Sequence, residues 1–481
     1  MKNKYTFLTF VYMLCILFQV KSNNVQVTNV SILNQNTTAK TTQIKFDLSW
    51  ENSWRTNSAE NNWDAVWIFV KYRVKGQILW NHATLDTTGH VAGTGSKIDS
   101  VGDGKGVFMK AANVMALQNV NYTANRLRWR YGVDGVLDND SVDICVYAIE
   151  MVYVPQNSFY LGDANSISDG NFKQAGNSFN LPFQVTSENA ITLSPSTGGT
   201  LGTNSFGYNM DDFYSSTQAL PSNFPKGYAG FYCMKYEITQ GQYVEFLNKI
   251  NSIQASNRFP NSNGTSRHTI TGTWPAFSAT APYRGCNFLS NLDVAAYSDW
   301  SGLRLMTELE YEKACRGPNT AVVGEFAWGS TNIFGVTGFV NDGTTSETAS
   351  NAGANCNYNN AFGPMRAGFS TGTSPGTRES TGATYYGIKD MSGSNMEIII
   401  NIGTTTGRIF TATNGDGYLD AAGNANATNW PTGTAGYGRK GGAWNVPLST
   451  KSYCTVSNRY YALYTTTSRD AATGGRCVRT Y

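Results

Sequence analysis

From about Met151 to Tyr481 the sequence carries only three short helical patterns, separated by long irregular stretches. Thr239 and Gln242 form a capping box, followed by Tyr243, Phe246, Leu247 and Ile250 at helical spacing. Asn291 to Trp300 is a second helical pattern, and a third begins at Thr307, pairs with Glu310 and runs through Tyr311 to Cys315. Loops of that length are uncommon inside a compact domain. A chain of this kind must hold its loops by something other than regular hydrogen-bond ladders, such as a disulfide or a metal.

The segment before Met151-Val152-Tyr153-Val154-Pro155 has another texture. Gln43 to Trp50, Ala65 to Val74, Ile78 to Leu85, Arg126 to Arg130 and Val142 to Ile149 are short apolar-rich segments, alternating with polar residues most clearly in the first and fourth. Many are β-branched or aromatic, the pattern of half-buried strands. Asp103-Gly104 and Asp134-Gly135 supply turns. The expected organisation is a β-sandwich of immunoglobulin or fibronectin type over residues 23–148, then an α+β, loop-rich domain over 149–481. Trp50, Trp54, Trp63, Trp67 and Trp80 are expected in packing rather than on a binding surface.

Residues 1–22 read as a secretory signal peptide. Lys2 and Lys4 precede the apolar run Phe7 to Val20, and Val20-Lys21-Ser22 offers a cleavage site. The run is short for a membrane span, and no later segment reaches that length. Cleavage removes three lysines and no acids, so the formal charge of +3 falls to zero. Such a chain has no overall electrostatic attraction for nucleic acid or anionic lipid. Charged residues are only 14% of the chain, and Asn, Thr, Ser and 49 glycines supply the polarity, which suits a secreted or cell-surface protein. Without Cys15, seven cysteines remain, namely Cys145, Cys233, Cys286, Cys315, Cys356, Cys454 and Cys477. Seven is odd, so at least one thiol stays unpaired within the chain.

Six segments in order carry a resemblance: Met151 to Gly162, Met234 to Asn248, Trp300 to Gly317, Tyr386 to Gly393, Lys440-Gly-Gly-Ala-Trp444 and Gly474-Gly-Arg-Cys-Val-Arg479. This series resembles the formylglycine-generating enzyme, or sulfatase-modifying factor, family. The resemblance implies a C-type-lectin-like fold over 149–481. It also implies a disulfide between Cys315 and Cys477, worth about 3–5 kcal/mol in the chain-entropy account. It implies calcium as cofactor, held by Ser392, Gly393, Asn395 and Glu397, although Ser394 and Met396 depart from the family's turn.

The family's oxidases bind Cu(I) through two cysteines shortly after Gly-Gly-Ser-Trp, because soft thiolates suit that ion. Here Ala443 replaces the serine and Val446 stands at the first cysteine position. Only Cys454 remains as a weak catalytic candidate, and copper is not expected. Iron-binding relatives use three histidines, whereas only His268 falls in this domain, on a loop. The expectation is therefore an exported, non-catalytic bacterial member that acts in binding or in surface structure. Its partner would be a protein or glycan at the cell surface, or another copy of the chain, and not nucleic acid. A copper oxidase acting on protein cysteines and a calcium-dependent, glycan-binding lectin are the alternatives.

Overall fold

The computed structural model describes residues 24–165, 169–177, 180–204, 207–360, 362–370, 376–464 and 466–481. The expected signal peptide lies outside the described residues. The chain is 11% helix and 31% strand, so more than half is turn and loop, in keeping with an α+β, loop-rich fold.

The N-terminal strands are β1 (Gln26–Asn36), β2 (Thr41–Arg55), β3 (Asp64–Val74), β4 (Asn81–His82), β5 (Ser96–Ser100), β6 (Val107–Ala111), β7 (Met115–Trp129) and β8 (Val142–Val154). Further along come β9 (Phe231–Met234), α1 (Gln240–Leu247), α2 (Asn291–Trp300), β10 (Arg304–Leu305) and α3 (Glu308–Arg316). The last elements used below are β11 (Met396–Ile400), β12 (Tyr437–Lys440), β13 (Thr473–Gly474) and β14 (Cys477–Thr480). Of the expected strand from Ile78 to Leu85, only β4 and an isolated bridge at Leu85 form. Ile78 and Leu79 are exposed, so no packing draws them into the sheet.

All three expected helices are present, and each begins with a complete capping box. In α1 the Thr239 hydroxyl accepts from the Gln242 N–H while the Gln242 side chain accepts from the Thr239 N–H. Ser290 with Asp293 caps α2 in the same way, and Thr307 with Glu310 caps α3. Each box satisfies two helix-end groups through residues three apart, so the start of the helix is written locally.

The expected division at 148/149 falls inside β8. One sheet runs β10-β14-β9-β8-β3-β6-β5, with β4 paired to β3, and so crosses that position without a break. Strand alternation shows why. In β3, Ala65, Trp67 and Phe69 face a large core shared with α1, α2, Tyr232 and Met234. Val66, Ile68, Val70 and Tyr72 face a second core, built with Phe46, Leu48 and Trp50 of β2 and Leu127 and Trp129 of β7. Successive side chains of a strand point to opposite faces, so β3 is buried on both. Trp67 donates to the Ser301 carbonyl at 2.8 Å and lies under the Arg479 guanidinium at 4.2 Å. The N-terminal strands thus form one wall of the core of the C-terminal region. Among the described residues no helix is long and apolar enough to cross a membrane.

His82 sits in this junction, fully buried, with Nε2 2.6 Å from the Lys105 carbonyl. Burial, reinforced by the Lys71 charge, holds the imidazole well below its usual range. Below the ordinary value near 6.5 the unfolded chain takes up a proton that the folded chain refuses. Stability therefore falls as pH drops through that value, by up to about 1.4 kcal/mol per pH unit. Melting at pH 7.5 and 5.5 should show a smaller acid-induced loss for His82→Gln than for the unaltered chain. Equal losses would refute the assignment.

Candidate functional site

The site grows from the antiparallel pair β11 and β12, whose register sets Glu397 opposite Lys440 and Ile400 opposite Tyr437. After β12 the chain turns through Gly441 and Gly442, at φ 92° and 66°. Gly442 is required twice over. Its φ is in the region side chains avoid, and a Cβ there would run into the Cys454 sulfur and lie 3.0 Å from Cys454 backbone. Ala443, Trp444 and Val446 are buried beyond the turn, and Trp444 donates its indole N–H to the Ala471 carbonyl at 3.1 Å.

Val446 forms part of the lining of a cleft of about 340 Å³, with Met396 and Ala472 beside it. The cleft walls are aromatic and half-exposed. Tyr461 and Tyr464 pack at 5.7 Å, Tyr208 meets Tyr464 at 4.9 Å, and Tyr453 meets Tyr461 at 5.6 Å. Arg439 stacks 4.5 Å over Tyr464 and reaches Asp470 at 3.6 Å. Its Nε is buried without a hydrogen-bond partner. Rings beside a guanidinium, a carboxylate and the exposed Asn445 offer flat apolar area together with directed polar contacts.

Cys454 is fully buried next to this cleft, and the Cys356 thiol is its neighbour. Ser392 links them, because its hydroxyl donates to the Cys454 carbonyl at 2.7 Å and its own carbonyl accepts from the Cys356 thiol at 3.1 Å. Burial, with Cys454 alongside, pushes the Cys356 thiol well above its ordinary value and keeps it protonated at neutral pH.

The expected disulfide between Cys315 and Cys477 does not form, and all seven described cysteines are free. Strand alternation separates the pair. Val478 of β14 points into the cluster that holds Cys315, whereas Cys477 points into the large core on the other face. There the Cys477 sulfur lies 3.1 Å from the Ser298 hydroxyl.

The expected calcium ligands are close in sequence, and two of their oxygens, Asn395 Oδ1 and Glu397 Oε2, are buried without a hydrogen-bond partner. Glu397 is buried against the Arg476 guanidinium at 2.7 Å, where a dication would have to displace a fixed positive charge. Asn395 turns its amide N–H toward Glu237, at 2.8 Å, and its backbone N–H donates to the same carboxylate at 2.9 Å. The Ser392 hydroxyl accepts from the Ala327 N–H at 3.0 Å, and the Gly393 N–H donates to the Gly441 carbonyl at 2.7 Å. Among the described residues no group of three or more His, Cys, Asp or Glu side chains is placed to hold a metal. Glu237 and Arg476 thus hold this turn through charge-assisted bonds. Chelation tests the calcium expectation: a melting temperature lowered by several degrees and restored by added calcium supports it, and an unchanged melt counts against it.

Residues 199–481 match the family described as the Sulfatase-modifying factor enzyme 1-like domain. The chain belongs to this family. The match contains the Gly441-Gly442 turn, the tyrosine cleft and both Cys356 and Cys454. No curated protein matches the chain. In this family member, sequence reasoning finds Cys454 and Val446 but misses Cys356, Glu237 and the four tyrosines of the cleft. Three of these tyrosines, Tyr453, Tyr461 and Tyr464, fall in a visible tyrosine-rich run, which is the available signal, whereas Tyr208 lies far from it. Cys356 and Glu237 carry no local signal, because their partners lie about 100 and 160 residues away in sequence.

Proposed function

We propose that this is an exported, non-catalytic family member that binds a glycan at the cell surface through the tyrosine cleft. The observation that carries this reading is Val446. The family's first copper-binding thiol would stand at that position, and an apolar side chain occupies it beside the cleft. Tyrosine faces with Arg439, Asp470 and Asn445 around them suit sugar rings, which offer an apolar face and an edge of hydroxyls. The proposal includes cleavage after Ser22, a C-type-lectin-like architecture for 149–481 and an immunoglobulin- or fibronectin-like pairing of sheets for 23–148. The core between β2, β7 and β3 supports that last point.

A glycan array followed by titration of the best soluble oligosaccharide tests the reading. Tyr461→Ala, with its melt preserved, should weaken binding at least tenfold. No hit, or a hit indifferent to Tyr461→Ala, would refute it.

A second reading, a copper-dependent oxidase of protein cysteines, is favoured by one observation, the placement of Cys356 beside Cys454. Two adjoining thiols are the donor type for Cu(I), and bound copper would supply the one-electron and oxygen chemistry of the family's oxidases. Titration of the reduced protein with Cu(I) against a competing chelator decides. One tightly held ion, lost in both Cys356→Ser and Cys454→Ser, supports the oxidase; no tight binding removes it.

A further inference from the structure

A separate cavity of about 380 Å³ lies where the N-terminal strands meet the C-terminal region. Asn52, Trp54, Glu60 and Asn62 form one side, residues 376–389 the other, and Lys235 and Tyr236 complete it. Its walls are largely aromatic, with Trp54, Tyr236, Tyr385 and Tyr386 contributing rings.

The charges around it are unequal. Lys235 is already satisfied by Asp64 at 3.2 Å, Glu150 at 3.1 Å and the Asn52 carbonyl at 3.0 Å, so it is a structural cation. Lys389 is different. Its ammonium donates to the Thr381 carbonyl at 2.9 Å, and it has no salt-bridge partner among the described residues. Arg378 donates to the Ala327 carbonyl at 3.2 Å, and its Nε is buried without a hydrogen-bond partner. The Tyr236 hydroxyl is likewise buried and unpartnered. Glu60 is the one carboxylate among the lining residues. Buried donors left unpaired cost free energy, and a lining with two cations that form no salt bridge among the described residues, two unpartnered donors and one carboxylate is complementary to an anion.

We propose that this junction cavity binds a small ring-bearing carboxylate, its acid group meeting Lys389 and Arg378 and its ring lying against Trp54 and Tyr386. The volume suits one ring with its substituents, at the small end of ligand pockets. Two sources share this chemistry, a uronic acid at the end of a glycan and an aromatic acid. The site is distinct from the tyrosine cleft in every lining residue.

Calorimetric titration of the full chain separates these cases with four probes: galacturonate and 4-hydroxybenzoate, with galactose and phenol as their neutral counterparts. One acid should bind and its neutral counterpart should bind at least tenfold more weakly. Which acid binds identifies the source. Lys389→Met and, independently, Arg378→Gln should each weaken the acid at least tenfold with the melt preserved. Tyr461→Ala, in the other cleft, should leave it unchanged. The proposal is overturned if neither acid binds, if neutral and acidic probes bind alike, or if a folded variant of either cation binds the acid as the unaltered chain does. Because Tyr461 belongs to the glycan reading alone, failure of that reading leaves this outcome distinct.

Discussion

Arg459→Met should destabilise the protein by about 3–5 kcal/mol or more, enough to leave much of the chain unfolded at 37 °C. Arg459 is fully buried, and its guanidinium holds two carboxylates at once. It meets Glu308 at 2.7 and 3.1 Å and Asp211 at 2.8 and 2.9 Å. It also donates to the Gly170 carbonyl at 2.9 Å and stacks 4.1 Å over Phe172. Methionine fills comparable volume but leaves Glu308 and Asp211 buried without their cation. The cost is therefore that of two uncompensated charges, not of a lost surface contact. Glu308 also accepts from the Ile402 N–H at 2.7 Å, so the loss reaches the segment following β11. Arg459→Lys should recover only part of the stability, because one ammonium cannot reproduce a fork that engages both acids. Urea denaturation measures this; a loss for Arg459→Met under roughly 1 kcal/mol would show the network to be dispensable.

Residues 149–481 expressed alone should be insoluble, although they include the whole family match. That fragment begins inside β8 and lacks β3, so β8 would present an unpaired edge. It would also uncover the large core where Trp67, Phe69 and Phe108 now pack against Tyr232 and Trp300. The same interface can be probed within the intact chain. Trp67→Ala should cost about 3–5 kcal/mol, the range for removing a large aromatic side chain from a core. A soluble, cooperatively melting fragment would show that the C-terminal region closes its own core without the N-terminal strands.

Several features are legible in the amino-acid sequence. The helices beginning at Gln240, Asn291 and Glu308 are readable because capping boxes join residues three apart. Family membership is readable from ordered short segments, and Val446 from its place after Gly441-Gly442. The strands of the first 150 residues are readable as alternation or apolar runs, but the pattern does not say what covers each face of β3. Ala65, Trp67 and Phe69 of β3 are the wall of a core that includes Tyr232 and Trp300, more than 150 residues away.

Local chemistry along the chain therefore determined where helices start, where turns fall, which family this is and that Val446 follows the Gly441-Gly442 turn. Only the tertiary structure decided that β8 runs through 148/149, that Cys477 faces away from Cys315, and that Cys356 neighbours Cys454. It also decided that Arg476 takes Glu397 and that the tyrosines converge on one cleft. Helix caps and turns are contacts between near neighbours and are written in their spacing. The other pairings are closed by distant segments meeting across a sheet, where a shift of one residue reverses the face that a side chain presents.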